Sequence, residues 1–133
     1  MNKAAAALIV CLSILCAENS QNARSQMIVV TKADSSKKIT VPCGAIIEID
    51  LQEQGGTGYL WQFDNLDREF FDLINIETEK NNTQGGFTGG PISKRWRLKT
   101  KKVGETTVRL YYFRPWEDKR KAADKFILPV RVQ

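Results

Sequence analysis

After the first 26 residues, apolar positions recur at every second residue in short runs that polar turns separate. Residues 45–51 are the clearest case, because Ile47, Ile49 and Leu51 alternate with acidic residues. A period of two predicts a strand with one buried face. The same pattern predicts strands at residues 27–31, 39–41, 45–51, 59–63, 70–77, 93–100, 106–112 and 126–132. About eight strands with a turn roughly every ten residues predict an all-β fold, an antiparallel sandwich of about seven or eight strands.

The last predicted strand contains Pro129, which has no backbone N–H. A proline inside a sheet is confined to an edge strand or a bulge, so we expect one of the two there. No segment has a helical period, and no repeat or interdomain linker is visible. A chain of 133 residues is long enough for one domain with its own core. We therefore predict one sandwich domain at residues 27–133, preceded by a loose leader at residues 18–26.

Residues 1–17 have the pattern of a targeting segment. Lys3 gives a positive start, positions 4–16 carry no charge, and Ala17 precedes the return of polar residues. This is the pattern of a cleaved signal peptide, and the apolar run is short for a membrane span of about 20 residues. We expect a chain that enters the secretory pathway and ends outside the cell, in a periplasm or in a lysosome-like vesicle. The mature form would have no membrane attachment; an uncleaved anchor is the alternative.

Composition excludes several chemistries. The chain has no histidine, which removes Ser-His-Asp and Cys-His catalytic groups and imidazole zinc sites. Loss of residues 1–17 takes away Cys11 and Cys16, and leaves Cys43 without a partner for an internal disulfide or a multi-cysteine metal site. Cys43 is then predicted to be a small, semi-buried apolar residue, with a reactive thiol as the alternative. We expect no catalytic residue, no metal and no cofactor.

Three segments between predicted strands are candidates for binding. The first loop, residues 54–58, has three glycines, which let a partner approach the backbone closely. The second loop, residues 81–91, has four glycines, and loops of this length are often functional. The third loop, residues 112–116, reads Tyr-Phe-Arg-Pro-Trp and precedes five charged residues. The alternatives are ordinary hairpin turns for the first two and, for the third, Trp116 folded onto the sandwich edge. Asn81 also begins an N-glycosylation acceptor pattern.

These segments share a pattern with a known family. Gly-Thr-Gly-Tyr-x-Trp at residues 56–61, then a glycine-rich loop, then Tyr-x-Arg-Pro-Trp at residues 112–116, resembles the chagasin-type inhibitors of papain-like cysteine peptidases. The resemblance runs from Met27 to the C-terminus. It implies an immunoglobulin-like β-sandwich that lays three loops from one end across the peptidase cleft. The implied activity is reversible, tight-binding competitive inhibition, and the chain itself would not be an enzyme.

The match differs from loop to loop. The family's first loop typically reads Asn-Pro-Thr-Thr-Gly, and only its last two residues match here, as Thr57 and Gly58. Glycines in place of Pro and Thr make the loop looser, so its ordering on binding should cost more. The second loop resembles the family's Gly-x-Gly-Gly pattern but is one residue longer, and Trp96 follows at a greater distance. The third loop matches fully as Arg-Pro-Trp at residues 114–116.

The resemblance implies a set of peptidase-binding residues. Gly56, Thr57 and Gly58 would lie nearest the peptidase's catalytic centre, with the Thr57 hydroxyl available for hydrogen bonds. Trp116 would be an aromatic anchor on the primed side, and Arg114 would support it or pair with the peptidase. The whole implied set is Gly55, Gly56, Thr57, Gly58, Tyr59, Gly86, Phe87, Thr88, Gly89, Gly90, Arg114, Pro115 and Trp116.

Partners follow from the same resemblance and from charge. The partner would be one papain-like peptidase bound by a monomer. Loss of Lys3 with residues 1–17 would take the formal net charge from +5 to +4, which would speed association with an acidic enzyme. An immunoglobulin-like adhesion or carbohydrate-binding module is the alternative, with Tyr59 and Trp116 stacking on sugars. We expect no nucleic-acid partner, because basic and acidic residues are interleaved rather than clustered. An enzyme using Glu117 and Asp118 is weaker still, because adjacent acids on a charged loop are usually solvated.

Overall fold

The computed structural model describes residues 26–80 and 90–133. Within these residues the chain forms eight strands and two short 3-10 helices. The strands are β1 (Met27–Thr31), β2 (Ile39–Val41), β3 (Ile46–Gln54), β4 (Leu60–Phe63), β5 (Phe71–Lys80), β6 (Pro91–Thr100), β7 (Gly104–Phe113) and β8 (Asp124–Val132). The 3-10 helices are Lys32–Asp34 and Lys119–Lys121. Each predicted strand has its counterpart, and β3, β5, β6, β7 and β8 are longer than the apolar alternation indicated.

The strands form two four-stranded sheets. The first sheet has the order β1-β3-β6-β5 and the second β2-β8-β7-β4. The predicted all-β sandwich is confirmed. Strand β6 pairs antiparallel with β3 and β5 in the first sheet, and β7 pairs antiparallel with β8 and β4 in the second. The two short N-terminal strands depart from that pattern, because β1 runs parallel to β3 and β2 runs parallel to β8. Both sheets are therefore mixed.

The core lies between the facing sides of the two sheets. The alternation predicted for β3 is confirmed, since Ile47, Ile49 and Leu51 are almost fully buried. Burial of side chains of this size contributes about 1.5–3 kcal/mol each. The buried apolar residues are Val30, Val41, Ala45, Ile47, Ile49, Leu51, Trp61, Phe71, Trp96, Leu98, Val108, Leu110, Phe126, Leu128, Val130 and Val132.

The outer side of the first sheet carries a ladder of ion pairs. On β6, the Arg95 guanidinium lies 3.3 Å from the Asp50 carboxylate and 2.9 Å from that of Glu79. The hydrogen bonds to Asp50 and then Glu79 raise the pKa of Arg95 above its ordinary value. Arg97 similarly lies 2.9 Å from Glu48, which is itself buried. Opposite charges facing each other across strands favour this register over a shifted one.

Pro129 lies in an internal strand, so the prediction of an edge or a bulge is wrong. Strand β8 lies between β2 and β7, and its register with β7 is continuous through Pro129. Strand β2 is only three residues long and pairs with β8 from Val130 onward. Pro129 therefore has no partner residue in β2, and its missing N–H breaks no hydrogen bond between these two strands.

Cys43 is half-buried and packs against the core as predicted. In the full chain it takes part in a disulfide bond. The expectation of a single cysteine concerned the mature form without residues 1–17, and for that form it stays a prediction.

The N-terminal predictions lie almost entirely outside the described residues. The signal segment at residues 1–17 and all but the last residue of the leader fall within residues 1–25. Both stay predictions. Where the structure describes the chain, no helix has the length and apolar character needed to cross a membrane.

The core makes a first testable prediction. Leu98→Ala removes a fully buried side chain from β6, and we expect it to lower the free energy of unfolding by about 2–5 kcal/mol in urea denaturation. The neighbouring Lys99→Ala is the matched control, since Lys99 is exposed on the same strand and should change that free energy by less than about 0.5 kcal/mol. Equal effects of the two substitutions would contradict the assigned faces of β6.

Candidate functional site

The first loop, the third loop and the base of the second loop lie at one end of the sandwich. The first loop joins β3 to β4, the second joins β5 to β6, and the third follows β7. In the first sheet Gln54 pairs with Pro91, and the Gly55 N–H donates to the Gly90 carbonyl at 3.2 Å. In the second sheet Leu60 pairs with Phe113. The first loop therefore has the base of the second loop on one side and the base of the third loop on the other.

Tyr112 joins the two sheets beneath these loops. Its hydroxyl on β7 accepts a hydrogen bond of 2.9 Å from the Gln54 N–H at the end of β3. Its ring centroid lies 5.0 Å from that of Trp61 and 5.3 Å from that of Tyr59. Aromatic pairs at such distances contribute about 0.5–1.5 kcal/mol beyond the burial of their area. The role of Tyr112 was not predicted from its position in the strand.

Glu53 is a buried acid at the base of the first loop. Its carboxylate accepts a 2.8 Å hydrogen bond from the Trp61 N–H and lies 3.8 Å from the Lys94 ammonium. Trp61 is held a second time, because its indole N–H donates to the Gln52 carbonyl at 3.0 Å. Sequence reasoning missed Glu53, although the alternation that points Leu51 inward also points Glu53 inward. These bonds fix the start of β4 against the end of β3.

The first loop is closed by its own threonine. The Thr57 hydroxyl donates to the Gln54 carbonyl at 2.8 Å and accepts from the Tyr59 N–H at 3.3 Å. Gly56 and Gly58 have φ angles of 80° and 82°, which side chains with a Cβ rarely adopt. In the free protein the Thr57 hydroxyl therefore shapes the turn, where the resemblance had implied that it was available to the peptidase.

Arg114 connects the third loop to the first. Its Nε donates to the Thr57 carbonyl at 3.0 Å, and its Nη1 donates to the Glu117 carboxylate at 3.1 Å. The guanidinium carbon also lies 4.5 Å from the ring centroid of Tyr59. The Glu117 N–H in turn donates to the Arg114 carbonyl at 2.9 Å and closes a turn around Pro115. Glu117 is exposed, as predicted, and it also forms an ion pair that orients Arg114.

Trp116 is exposed at this end of the molecule. Its side chain is 72% exposed, so it is not folded onto the sandwich edge. Its ring lies over Gly58, because a Cβ added at Gly58 would be 2.6 Å from Trp116 Cη2. The indole thus rests on backbone that carries no side chain, with Pro115 exposed beside it.

The charged residues after Trp116 form a short capped turn. The Asp118 carboxylate accepts the Arg120 N–H at 2.9 Å at the start of the 3-10 helix Lys119–Lys121. Hydrogen bonds from the Arg120 side chain and then its backbone lower the pKa of Asp118, and the same pair raises the pKa of Arg120. A hydrogen bond to Asp64 raises the pKa of Lys119. Asp118 is exposed, as expected, and it also caps this short helix.

The structure brings together the implied site residues that it describes. Gly55, Gly56, Thr57, Gly58 and Tyr59 lie against Arg114, Pro115 and Trp116, and Gly90 lies at the base of the second loop. Gly86, Phe87, Thr88 and Gly89 lie outside the described residues, as does Asn81. Across residues 26–80 and 90–133, no three potential metal-ligating side chains of His, Cys, Asp or Glu cluster together.

Comparison with known proteins identifies a family. Residues 40–130 match the model of the chagasin family of peptidase inhibitors, I42. Amoebiasin-2 of Entamoeba histolytica is 29% identical over 89 residues, which are 67% of this chain and 72% of that protein. Chagasin of Trypanosoma cruzi is 26% identical over 105 residues, which are 77% of this chain and 96% of chagasin.

Solved structures agree with the sequence comparisons. The crystal structure of the cysteine protease inhibitor EhICP2 from Entamoeba histolytica matches with a TM-score of 0.74 and 25% identity, over 81% of this chain and 96% of that one. The structure of PbICP-C in complex with falcipain-2 matches with a TM-score of 0.52 and 25% identity, over 84% and 92% of the two chains. The family model alone spans more than half of the sequence. This chain therefore belongs to the chagasin family of peptidase inhibitors.

Proposed function

We propose that the chain is a reversible, tight-binding competitive inhibitor of papain-like cysteine peptidases. The observation that carries the proposal is the exposed Trp116 ring lying over Gly58, with Arg114 bonded to the Thr57 carbonyl beside it. Glycine backbone and an exposed aromatic side chain thus share one surface at the loop end of the sandwich. Family membership supports the proposal, and so does a structural neighbour that is bound to falcipain-2.

Inhibition of this kind requires a segment that fills the cleft and that the peptidase cannot cleave. A papain-like peptidase has its catalytic thiolate and imidazole at the base of a long cleft. Gly56 and Gly58 would let the first loop approach that thiolate closely, because no side chain projects from them. The Thr57 carbonyl is already bonded to Arg114, and the Thr57 hydroxyl to Gln54, so the loop enters the cleft in a fixed shape. This fixed shape would keep the backbone out of the geometry that nucleophilic attack requires.

The flanking loops would supply most of the binding energy. Exposed tryptophan and arginine residues are typical anchors of interfaces, and Trp116 would bind on the primed side of the cleft. The second loop, with Phe87 as its large side chain, would pack on the other side. A surface of this size gives tight binding when its loops are ordered beforehand, because little conformational entropy is then lost. The positive net charge would favour an acidic peptidase by speeding association.

The carbohydrate-binding alternative is less well supported. Stacking on a sugar requires a free aromatic face. The Tyr59 ring is stacked on Tyr112, and the guanidinium of Arg114 lies over it at 4.5 Å. Of the two residues suggested for stacking, Trp116 alone presents a largely exposed ring.

A titration of papain tests the proposal. With the chain from Glu18 onward, hydrolysis of a fluorogenic peptide should fall stoichiometrically and reversibly, with an inhibition constant Ki that rises with substrate and an inhibitor that stays uncut. Trp116→Ala should raise Ki roughly 30-fold or more, since aromatic anchors contribute about 2 kcal/mol or more.

Ile74→Ala is the matched control for Trp116, because Ile74 is also an exposed apolar residue, 49% exposed, but lies on β5. The proposal fails if the Trp116→Ala and Ile74→Ala proteins have the same Ki. It also fails if the folded protein inhibits none of several papain-like peptidases. Glycan binding would be tested next in the second case.

Two glycines test the contact between the first and third loops. Gly58→Ala should raise Ki and lower the free energy of unfolding by about 1 kcal/mol, because it combines a positive φ with a close contact to the Trp116 ring. Gly90→Ala serves as the control for stability, since an added Cβ there meets no atom within 4 Å. Urea denaturation and inhibition assays measure the two effects. A Gly58→Ala protein equal to wild type in both would contradict the contact.

We also propose that residues 1–17 are a signal peptide and that the mature chain is secreted. The proposal rests on the charge and apolar pattern of this segment. Intact-mass measurement of the chain recovered from a secreting cell should show a mass that begins at Glu18. A mass that still includes residues 1–17 would contradict the prediction.

A further inference from the structure

We propose that Arg114 is a positioning residue, which holds the first loop in its binding conformation and does not act by contacting the peptidase. The inference rests on the proposed function and assigns a role within that site. The sequence left two roles open for Arg114, support of Trp116 or pairing with the peptidase. The contacts favour a supporting role, and they direct it to the first loop.

The Arg114 guanidinium makes three contacts within the chain. The Nε and Nη1 donors are directed to the Thr57 carbonyl and the Glu117 carboxylate, at 3.0 and 3.1 Å. The guanidinium carbon lies over the Tyr59 ring, 4.5 Å from its centroid. An arginine offers five N–H donors in a fixed fork, so two hydrogen bonds and one cation–π contact leave its orientation well determined. The group is also only 36% exposed, against 86% for Arg120 in the same charged segment.

The first loop needs such a contact because of its composition. Gly55, Gly56 and Gly58 each have more backbone freedom to lose than any other residue type would have. The Thr57 hydroxyl bonds close the turn locally, to Gln54 and Tyr59, and do not tie it to the rest of the site. The bond from Arg114 to the Thr57 carbonyl ties the middle of this loop to the third loop, across 57 positions of sequence.

Glu117 fixes the arginine in turn. Its carboxylate pairs with Nη1 of Arg114, and its N–H closes the turn back to the Arg114 carbonyl at 2.9 Å. Arg114 is therefore held by its own loop on one side while it holds the Thr57 carbonyl on the other. The two loops would enter a cleft as one preassembled unit, and Trp116 would keep its place over Gly58.

Backbone dynamics of the free inhibitor separate positioning from contact. We would measure amide order parameters of Gly56, Thr57 and Gly58 by NMR relaxation, together with Ki against papain. In Arg114→Ala the order parameters should fall from about 0.85 toward 0.6 or below, and Ki should rise roughly 10- to 100-fold. Arg114→Lys keeps the charge without the fork and should recover only part of either quantity.

Arg120→Ala is the matched control, because Arg120 is an arginine of the adjoining turn whose side chain pairs with Asp118 instead. It should change neither the order parameters nor Ki. If Arg114→Ala raises Ki while the loop stays as rigid as in wild type, Arg114 contacts the peptidase and the inference is overturned. Unchanged Ki with a loosened loop would also overturn it. Failure of the wild-type protein to inhibit any peptidase would count against the proposed function, and the order parameters would still report whether Arg114 orders the loop.

Discussion

The site depends first on the way Tyr112 joins the two sheets at one end of the sandwich. Burial of apolar faces holds the sheets together, but that force is non-directional and would allow one sheet to slide over the other. The hydrogen bond from the Gln54 N–H to the Tyr112 hydroxyl is directional and links the last residue of β3 to β7. The first loop leaves the first sheet at Gln54 and enters the second at Leu60, so this link sets the span that the loop must bridge. Glu53 and Trp61 reinforce the same junction from below.

Contacts between the first and third loops offset the backbone flexibility that the glycines give the first loop. Glycines give the first loop the left-handed backbone at Gly56 and Gly58, and they also raise the entropy lost on ordering it. The Thr57 hydroxyl, the Arg114 guanidinium and the Trp116 ring each remove part of that freedom before a partner is met. Binding energy then need not be spent on ordering the loop, which is the general advantage of a preorganised surface. The chain needs no reactive group for this, in keeping with its lack of histidine.

The sequence predicted the strands well, because the alternation of apolar and polar residues indicates which face of a strand is buried. It could not report which strands are neighbours, so the parallel pairing of β1 with β3 and of β2 with β8 was not foreseen. Pro129 was misjudged for the same reason, since the length of β2 decides whether its missing donor matters. Within the site, the Arg-Pro-Trp element could be predicted from the family resemblance. The partners of Arg114 could not, because Thr57 and Tyr59 are brought to it only by the folded chain.

Hydrogen exchange of the inhibitor with and without papain tests the central claim most directly. The account predicts that binding slows exchange in peptides covering residues 55–59 and 114–116, at the loop end of the sandwich. Peptides covering residues 42–44 and 101–103, at the opposite end, should exchange at the same rate in both states. Protection at that opposite end, or along the outer faces of the sheets with the loops unchanged, would contradict the assignment of the binding surface.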